Sequence, residues 1–318
     1  MGKGFKKYLI FKETDLNNQT TNRIVMVRPA KFYFNAETAV NNHYQNSDNQ
    51  DKEKVNQKAL EEFDALAAKI AEKGVQVNII QDTYDPSTPD SIFPNNWFSS
   101  HEEGILFFYP MFAENRREEV KKFRGKLYDI VRRENLKIVD YSLKAEENIF
   151  LEGTGSIVLD RKNKKAYCSL SQRSNEELFK KFCAETGCKP VVFSSFQDDY
   201  PIYHTNVMMS IGENRAIICL DCIKDEAERE NVKRELLESG KEIVEISQEQ
   251  VKNFLGNTLE LKGKDGKKFV VMSETAYRAL TDEQKERILK DTEIVHSDVH
   301  TIEYYGGGSA RCMIGEIF

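Results

Sequence analysis

What most constrains this chain is a repeat that shows in its periodicities rather than in its residue identities. RIVMVRP (23–29) predicts a strand, KEKVNQKALEEFDALAAKIAEKG (52–74) an amphipathic helix and VQVNII (75–80) a second strand. The same alternation then returns with an extra strand in front. WFSSHEEGILFFYPM predicts two strands around a Glu-Gly turn, followed by a helix near 114–134 and the strand KIVDYS. SIVLDRKNKKAYCSLS, VMMSIGENRAIICLD and NTLELKGKDGKKFVVMS predict three more hairpins. Their helices fall near 174–186, 225–239 and 274–290, and their closing strands are KPVVFSSF, EIVEIS and TEIVHS. Gly, Asn or charged residues occupy each hairpin turn, as tight connections favour. A strand–strand–helix–strand unit of about 50–60 residues lies in the range of propellers and arrays.

The repeat carries a register. Asn96, Glu152, His204, Asn257 and Cys312 each stand at the start of a hairpin, with gaps of 56, 52, 53 and 55 residues. Units arranged around an axis would bring these five side chains together at its mouth. The run GGGSARC (306–312) then acquires a purpose, because glycines serve where a chain turns tightly or approaches something closely. Here the turn would deliver Cys312 to the place its four counterparts occupy in their own units.

A thiol, an imidazole and a carboxylate form a nucleophile, a proton carrier and an orienting group. Each residue alone also has an ordinary structural reading. Cys312 could be a core thiol, His204 a satisfied structural histidine and Glu152, beside Gly153, a turn residue. The shared register favours the chemical reading.

Composition removes other classes. A formal net charge of −6 gives no reason to expect a nucleic-acid partner. No apolar run approaches the roughly 20 residues of a membrane span. The start, MGKGFKKYLIFKETDLNNQT, has too short an apolar run for a signal peptide and lacks the Ser or Thr at position 6 that myristoylation favours, so a cytoplasmic protein is expected. Cys168, Cys183, Cys188, Cys219, Cys222 and Cys312 read as free thiols. Cys219 and Cys222 have CxxC spacing inside an apolar run, where core packing competes with a structural metal that no second pair or neighbouring His completes. No metal or other cofactor is expected, and no segment resembles a nucleotide loop.

LEGTG (151–155), SLSQRSN (169–175), YHTNVM (203–208) and GGGSARC (306–312) together resemble the guanidine-modifying pentein superfamily. Within it the chain is most similar to the citrulline-utilisation hydrolase (CtlX) type, amidinotransferase-like, from VRPAKFYFNAETAVNN to the end. The resemblance implies one α/β domain over 1–318, a five-bladed propeller of ββαβ units with pseudo-fivefold symmetry. It also implies catalytic Cys312 and His204 with an orienting Glu152, and it nominates Arg173 as the clamp for a substrate carboxylate. An Arg suits that task through its bidentate fork, and the plain alternative is a surface Arg leading into a helix.

Deiminases of the superfamily carry acids where this chain has Asn96 and Asn206. An amide offers a donor and an acceptor without charge, and a desolvated guanidinium without a counter-charge is costly. These asparagines therefore point to a neutral ureido group. The expected function is hydrolysis of citrulline or a related amino acid to ornithine, ammonia and carbon dioxide through an S-carbamoyl-cysteine. The alternatives are a guanidino-compound deiminase, dimethylarginine-type hydrolase or amidinotransferase, and a non-catalytic binding protein. The partner is a small-molecule substrate, with a homo-oligomer left open. Asn257 joins the substrate-binding set by register. Asn35, in NAETAVNN, belongs either to a substrate-covering loop with Glu37 or to a helix N-cap. His296 and His300 have i, i+4 spacing without a third ligand and suit a lid over the pocket, and Trp97 is expected to pack beneath Asn96.

Overall fold

The computed structural model describes residues 18–318, so the reading of the first residues as carrying no signal peptide or lipid site lies outside them. Five three-stranded sheets share one strand order, in which the middle strand pairs antiparallel with one neighbour and parallel with the other. The second sheet comprises Phe98–His101, Ile105–Phe108 and Lys137–Asp140, and the third Val158–Asp160, Lys165–Ser169 and Lys189–Phe193. Met209–Ile211, Arg215–Ile218 and Glu242–Glu245 make the fourth, and Leu259–Lys262, Lys268–Ser273 and Glu293–Ser297 the fifth. The first sheet is assembled from both ends of the chain, with Gly315–Glu316 pairing onto Arg23–Arg28, which in turn pairs with Gln76–Gln81.

Burial grades across each sheet. The middle strands carry near-continuous apolar runs, Ile24–Val27, Ile105–Phe108 and Phe269–Met272 among them, because both of their faces are covered. The antiparallel neighbours are almost as buried, whereas the parallel ones, such as Gln76–Gln81 and Lys137–Asp140, are largely exposed. The buried edges of different sheets touch. Met209–Ile211 lies against both Val158–Asp160 and Leu259–Lys262, and Gly315–Glu316 against Phe98–His101.

Helices Lys52–Glu72, Glu114–Val131, Glu176–Thr186 and Glu226–Glu238 lead into the parallel strands. Asp51, Asn175 and Asp225 cap three of them by accepting a backbone N–H from the first turn. The fifth helical stretch corrects the expected continuous helix over 274–290. It is two helices, Glu274–Ala279 and Asp282–Leu289, parted at Leu280. Thr281 restarts the second with a capping box, its side chain accepting from Gln284 N while the Gln284 side chain accepts from Thr281 N. The periodic pattern ran through this break because Ala276, Leu280 and Ile288, four and eight residues apart, all pack into one apolar cluster. A further helix, His300–Gly306, was not foreseen and ends at Gly307 in the left-handed region (φ +61°). Among the described residues no helix is long and apolar enough to cross a membrane.

Candidate active site

Each of the five register residues stands within about six residues before the buried antiparallel strand of its sheet. Asn96 ends the turn Pro94–Asn96, and Glu152 and His204 stand just before the short helix Gly153–Ser156 and the turn Thr205–Val207, with their side chains turned to other partners. Asn257 and Cys312 stand two and three residues before Leu259 and Gly315. The antiparallel edges gather, and these positions gather with them.

Glycines make the close approach. Gly155 lies between two register residues, where a Cβ would fall 2.8 Å from His204 Nδ1 and nearer still to Asn96 Nδ2. Gly153 (φ +46°) lies against the Asn95 and Asn96 carbonyls, and Gly256 against Val207 O and Met208. The three terminal glycines have the same function. Gly306 and Gly308 face the Phe93 ring, and Gly307 faces Asn42 and Gln45. Asn42 donates to Gly306 O (3.2 Å) and Tyr203 Oη to Gly307 O (2.8 Å), so the run is clasped from both sides before Cys312.

Within the cluster, His204 Nε2–H donates to Glu152 Oε2 at 2.7 Å, and Phe112 N donates to Glu152 Oε1 at 2.8 Å. Nδ1 of His204 is left facing Gly155 and Asn96. Burial pushes the His204 pKa down to about 4, outweighing the opposing pull of Glu152. Burial also opposes the charge on Glu152, but Arg173, the hydrogen bond to His204 and Arg116 overcome it and hold that carboxyl at about 2. At neutral pH the pair is a carboxylate holding a neutral imidazole by its Nε2–H, the tautomer in which Nδ1 can accept a proton. Cys312 Sγ accepts from Asn257 Nδ2 at 3.2 Å and from Asn206 Nδ2 at 3.7 Å. Asn257 Nδ2 also donates to Asn206 O (3.1 Å), which ties the fourth and fifth units together beside the sulfur.

Several expectations change here. Arg173 is not a surface residue, being 2% exposed, and it is not open to a ligand. It donates to Thr38 O (2.8 Å), to Asn41 Oδ1 through Nε (2.9 Å) and Nη2, and to Glu152 Oε2 (3.4 Å). It thus joins the 35–46 segment to the carboxylate behind His204. Of the two readings of Asn35 the structure shows the helix N-cap, since Oδ1 caps the helix Ala36–Ala39 through Glu37 N, and Nδ2 donates to Asp90 (2.8 Å). Trp97 is fully buried and stacks with Phe108 and Phe123. His296 pairs with Glu274 and stacks on Tyr277, and among the described residues no cluster suits a metal ion. His300, with Tyr44, Tyr200, Tyr203, Phe254 and Tyr304, lines a cavity of about 490 Å³ beside the site; Cys312, His204 and Glu152 do not border it.

The largest correction concerns charge. The sequence reading found no acid to face a guanidinium, yet Asp90 stands in this neighbourhood at 2% exposure. Its Oδ2 accepts from Asn35 and from Thr38 (3.0 Å), while its Oδ1 has no partner among the described residues. Burial raises its pKa against the pull of Arg116. Arg116, also missed, pairs with buried Glu119 and donates to Asn96 Oδ1 (2.8 Å), which turns the unpartnered Asn96 Nδ2 away from it. An isolated Asp between Pro89 and an apolar run was the available signal. Arg116 had none, because it reads as one more charge on a solvated helix.

Solved structures share this architecture. ArgZ, an arginine dihydrolase from the ornithine-ammonia cycle in cyanobacteria, matches in its apo form with a TM-score of 0.72 and 15% identity over 93% of this chain. This chain spans 41% of that one, less than half its length. The N-terminal domain of an ArgZ variant covalently bound to a reaction intermediate gives 0.71 at 14% identity, covering 93% of this chain and 97% of that domain. A dimethylarginine dimethylaminohydrolase adduct with S-methyl-L-thiocitrulline gives 0.63 at 15% identity, covering 93% and 99%. No curated protein matches the chain. The family model described as N,N dimethylarginine dimethylhydrolase, eukaryotic, matches residues 28–318. With that match over nearly its whole length, the chain belongs to the N,N dimethylarginine dimethylhydrolase family.

Proposed function

We propose that the chain hydrolyses a guanidino amino acid of the arginine or dimethylarginine kind through a covalent intermediate on Cys312. The neutral His204 imidazole held by ionised Glu152, in the turn whose Asn206 donates to Cys312 Sγ, is the observation that carries this reading. Cys312 gives up its proton and its sulfur attacks the guanidinium carbon. His204 Nδ1 carries the proton to the departing amine, and the C–N bond breaks. His204 then takes a proton from water, whose oxygen attacks the same carbon and expels Cys312. The organic product is a ureido amino acid. Asp90 is the buried carboxylate suited to oppose a substrate cation. Arg173 would bind a substrate carboxylate only if Asn41 and Thr38 withdrew. In this reading the five sheets stand around a pseudo-fivefold axis as an α/β propeller with the site at its mouth.

A second reading, a ureido substrate such as citrulline, rests on one atom. A guanidinium carries only donors and suits the unpartnered oxygens of Asp90, Asn206 and Asn257. Asn96 Nδ2 is a donor without a partner among the described residues and needs an acceptor, which a ureido carbonyl provides and a guanidinium does not. Incubation with arginine, dimethylarginine, agmatine and citrulline, following citrulline, ornithine, ammonia and dimethylamine, decides between them. Turnover of arginine or dimethylarginine is expected, lost in Cys312→Ser with substrate binding retained. Turnover of citrulline alone would overturn the first reading in favour of the second. Inertness towards all four would overturn both.

A further inference from the structure

The side chain of Asn257 lies between two acceptors. One is the Asn206 backbone carbonyl, 3.1 Å from Nδ2, and the other is Cys312 Sγ at 3.2 Å. A carbonyl oxygen can only accept, so the end of the amide that faces it has to be the NH₂ group. Both Asn257 hydrogens are thereby assigned, one to Asn206 O and one to the sulfur. Gly256 permits this closeness, since any Cβ there would collide with Val207 O and Met208. Asn206 adds a longer second N–H from the turn that carries His204. The sulfur therefore accepts from two amides and, among the described residues, donates to none. A thiol is a weak acceptor, and the bond strengthens when sulfur carries charge.

We propose that Asn257, supported by Asn206, is an anion cradle for the nucleophile: its N–H stabilises the thiolate of Cys312, a task separate from whatever its Oδ1 accepts. When the S–H bond breaks, its electron pair stays on sulfur against the Asn257 N–H and the proton passes to His204 Nδ1. The same N–H meets the charge again when the intermediate collapses and sulfur is expelled. The inference rests on Cys312 as the nucleophile but not on the identity of the substrate.

The test compares the full chain with Asn257→Ala and the near-isosteric Asn257→Asp, each also made in Cys312→Ser as a blank. The readouts are the ultraviolet thiolate absorbance at neutral pH and the iodoacetamide alkylation rate assigned to Cys312 by peptide mass. A hydrogen bond to a charged group corresponds to a rate effect of about 10- to 150-fold. Alkylation and thiolate absorbance should fall in Asn257→Ala by about tenfold or more, and further in Asn257→Asp, where a carboxylate faces the sulfur. A merely structural Asn257 predicts the opposite for alanine, because the space opened beside a buried thiol would speed alkylation. Equal or faster alkylation in both folded variants would overturn the proposal even if guanidino substrates are turned over. The expected ranking without any such turnover would leave the cradle standing and remove the proposed substrate.

Discussion

At the scale of single residues, the site depends on which groups are kept apart from water. Glu152 is fully buried and His204 is 3% exposed, so their pairing decides both the tautomer and the charge of the imidazole. Replacing the acid by an amide frees Nε2 from a carboxylate and allows the wrong tautomer. Glu152→Gln is therefore expected to lower kcat by about 10²- to 10⁴-fold with a smaller change in KM, measured by steady-state kinetics. Because burial holds His204 near 4 rather than its ordinary 6.5, the acid limb of kcat/KM should fall near pH 4. A limb near pH 6.5 would contradict the buried neutral imidazole. Cys312, His204 and Glu152 were legible in the sequence because chemistry restricts residue type and the repeat restricts spacing. Asp90 and Arg116 were not, because their importance comes from burial, and no spacing rule distinguishes a buried acid or base from a solvated one.

Elements hold the site through close backbone approach and through caps. Gly307 combines a positive φ of 61° with contact against Asn42 and Gln45. Gly307→Ala should cost about 1–3 kcal/mol in urea unfolding and should weaken turnover, since Cys312 follows five residues later. Thr281 contributes differently. Thr281→Ala removes one half of a capping box far from Cys312 and should cost about 1 kcal/mol while leaving kcat unchanged. Strands, hairpins and four of the helices were readable because their apolar spacing is set by what each buries. The break at Leu280 was signalled only by the Thr281–Gln284 pair, and periodicity outweighed it. The helix His300–Gly306 was hidden because its spacing overlaps a glycine run that reads as loop.

Across the whole molecule, the two ends of the chain depend on one another. Gly315–Glu316 supplies the antiparallel strand of the first sheet, and Thr21 Oγ1 donates to Ile317 O at 2.6 Å. Deleting residues 315–318 should leave the buried strand Arg23–Arg28 with an open edge and abolish cooperative unfolding, as seen by circular dichroism. A truncated chain that melts like the full one would contradict this account. Stability should also depend on acid. The unfolded His204 binds its proton near 6.5 and the folded one near 4, so the unfolded state takes up more protons between these values. The His204 contribution is then complete above about pH 6.5 and declines as pH falls towards 4, opposed by Glu119, whose carboxyl burial raises to about 7. Glu152 extends the decline below 4.5 towards 2, and His204→Gln should flatten the upper part in urea titrations. By itself the sequence determined the repeated unit and the register of five polar positions, because both follow from local periodicity, and it nominated Cys312 as the nucleophile, because few side chains can perform that chemistry. Only the tertiary structure decided which charges share the pocket, that Arg173 is already engaged and that Asn257 faces the sulfur. Those facts depend on burial and direction, which arise when distant repeats pack together and which no local pattern records.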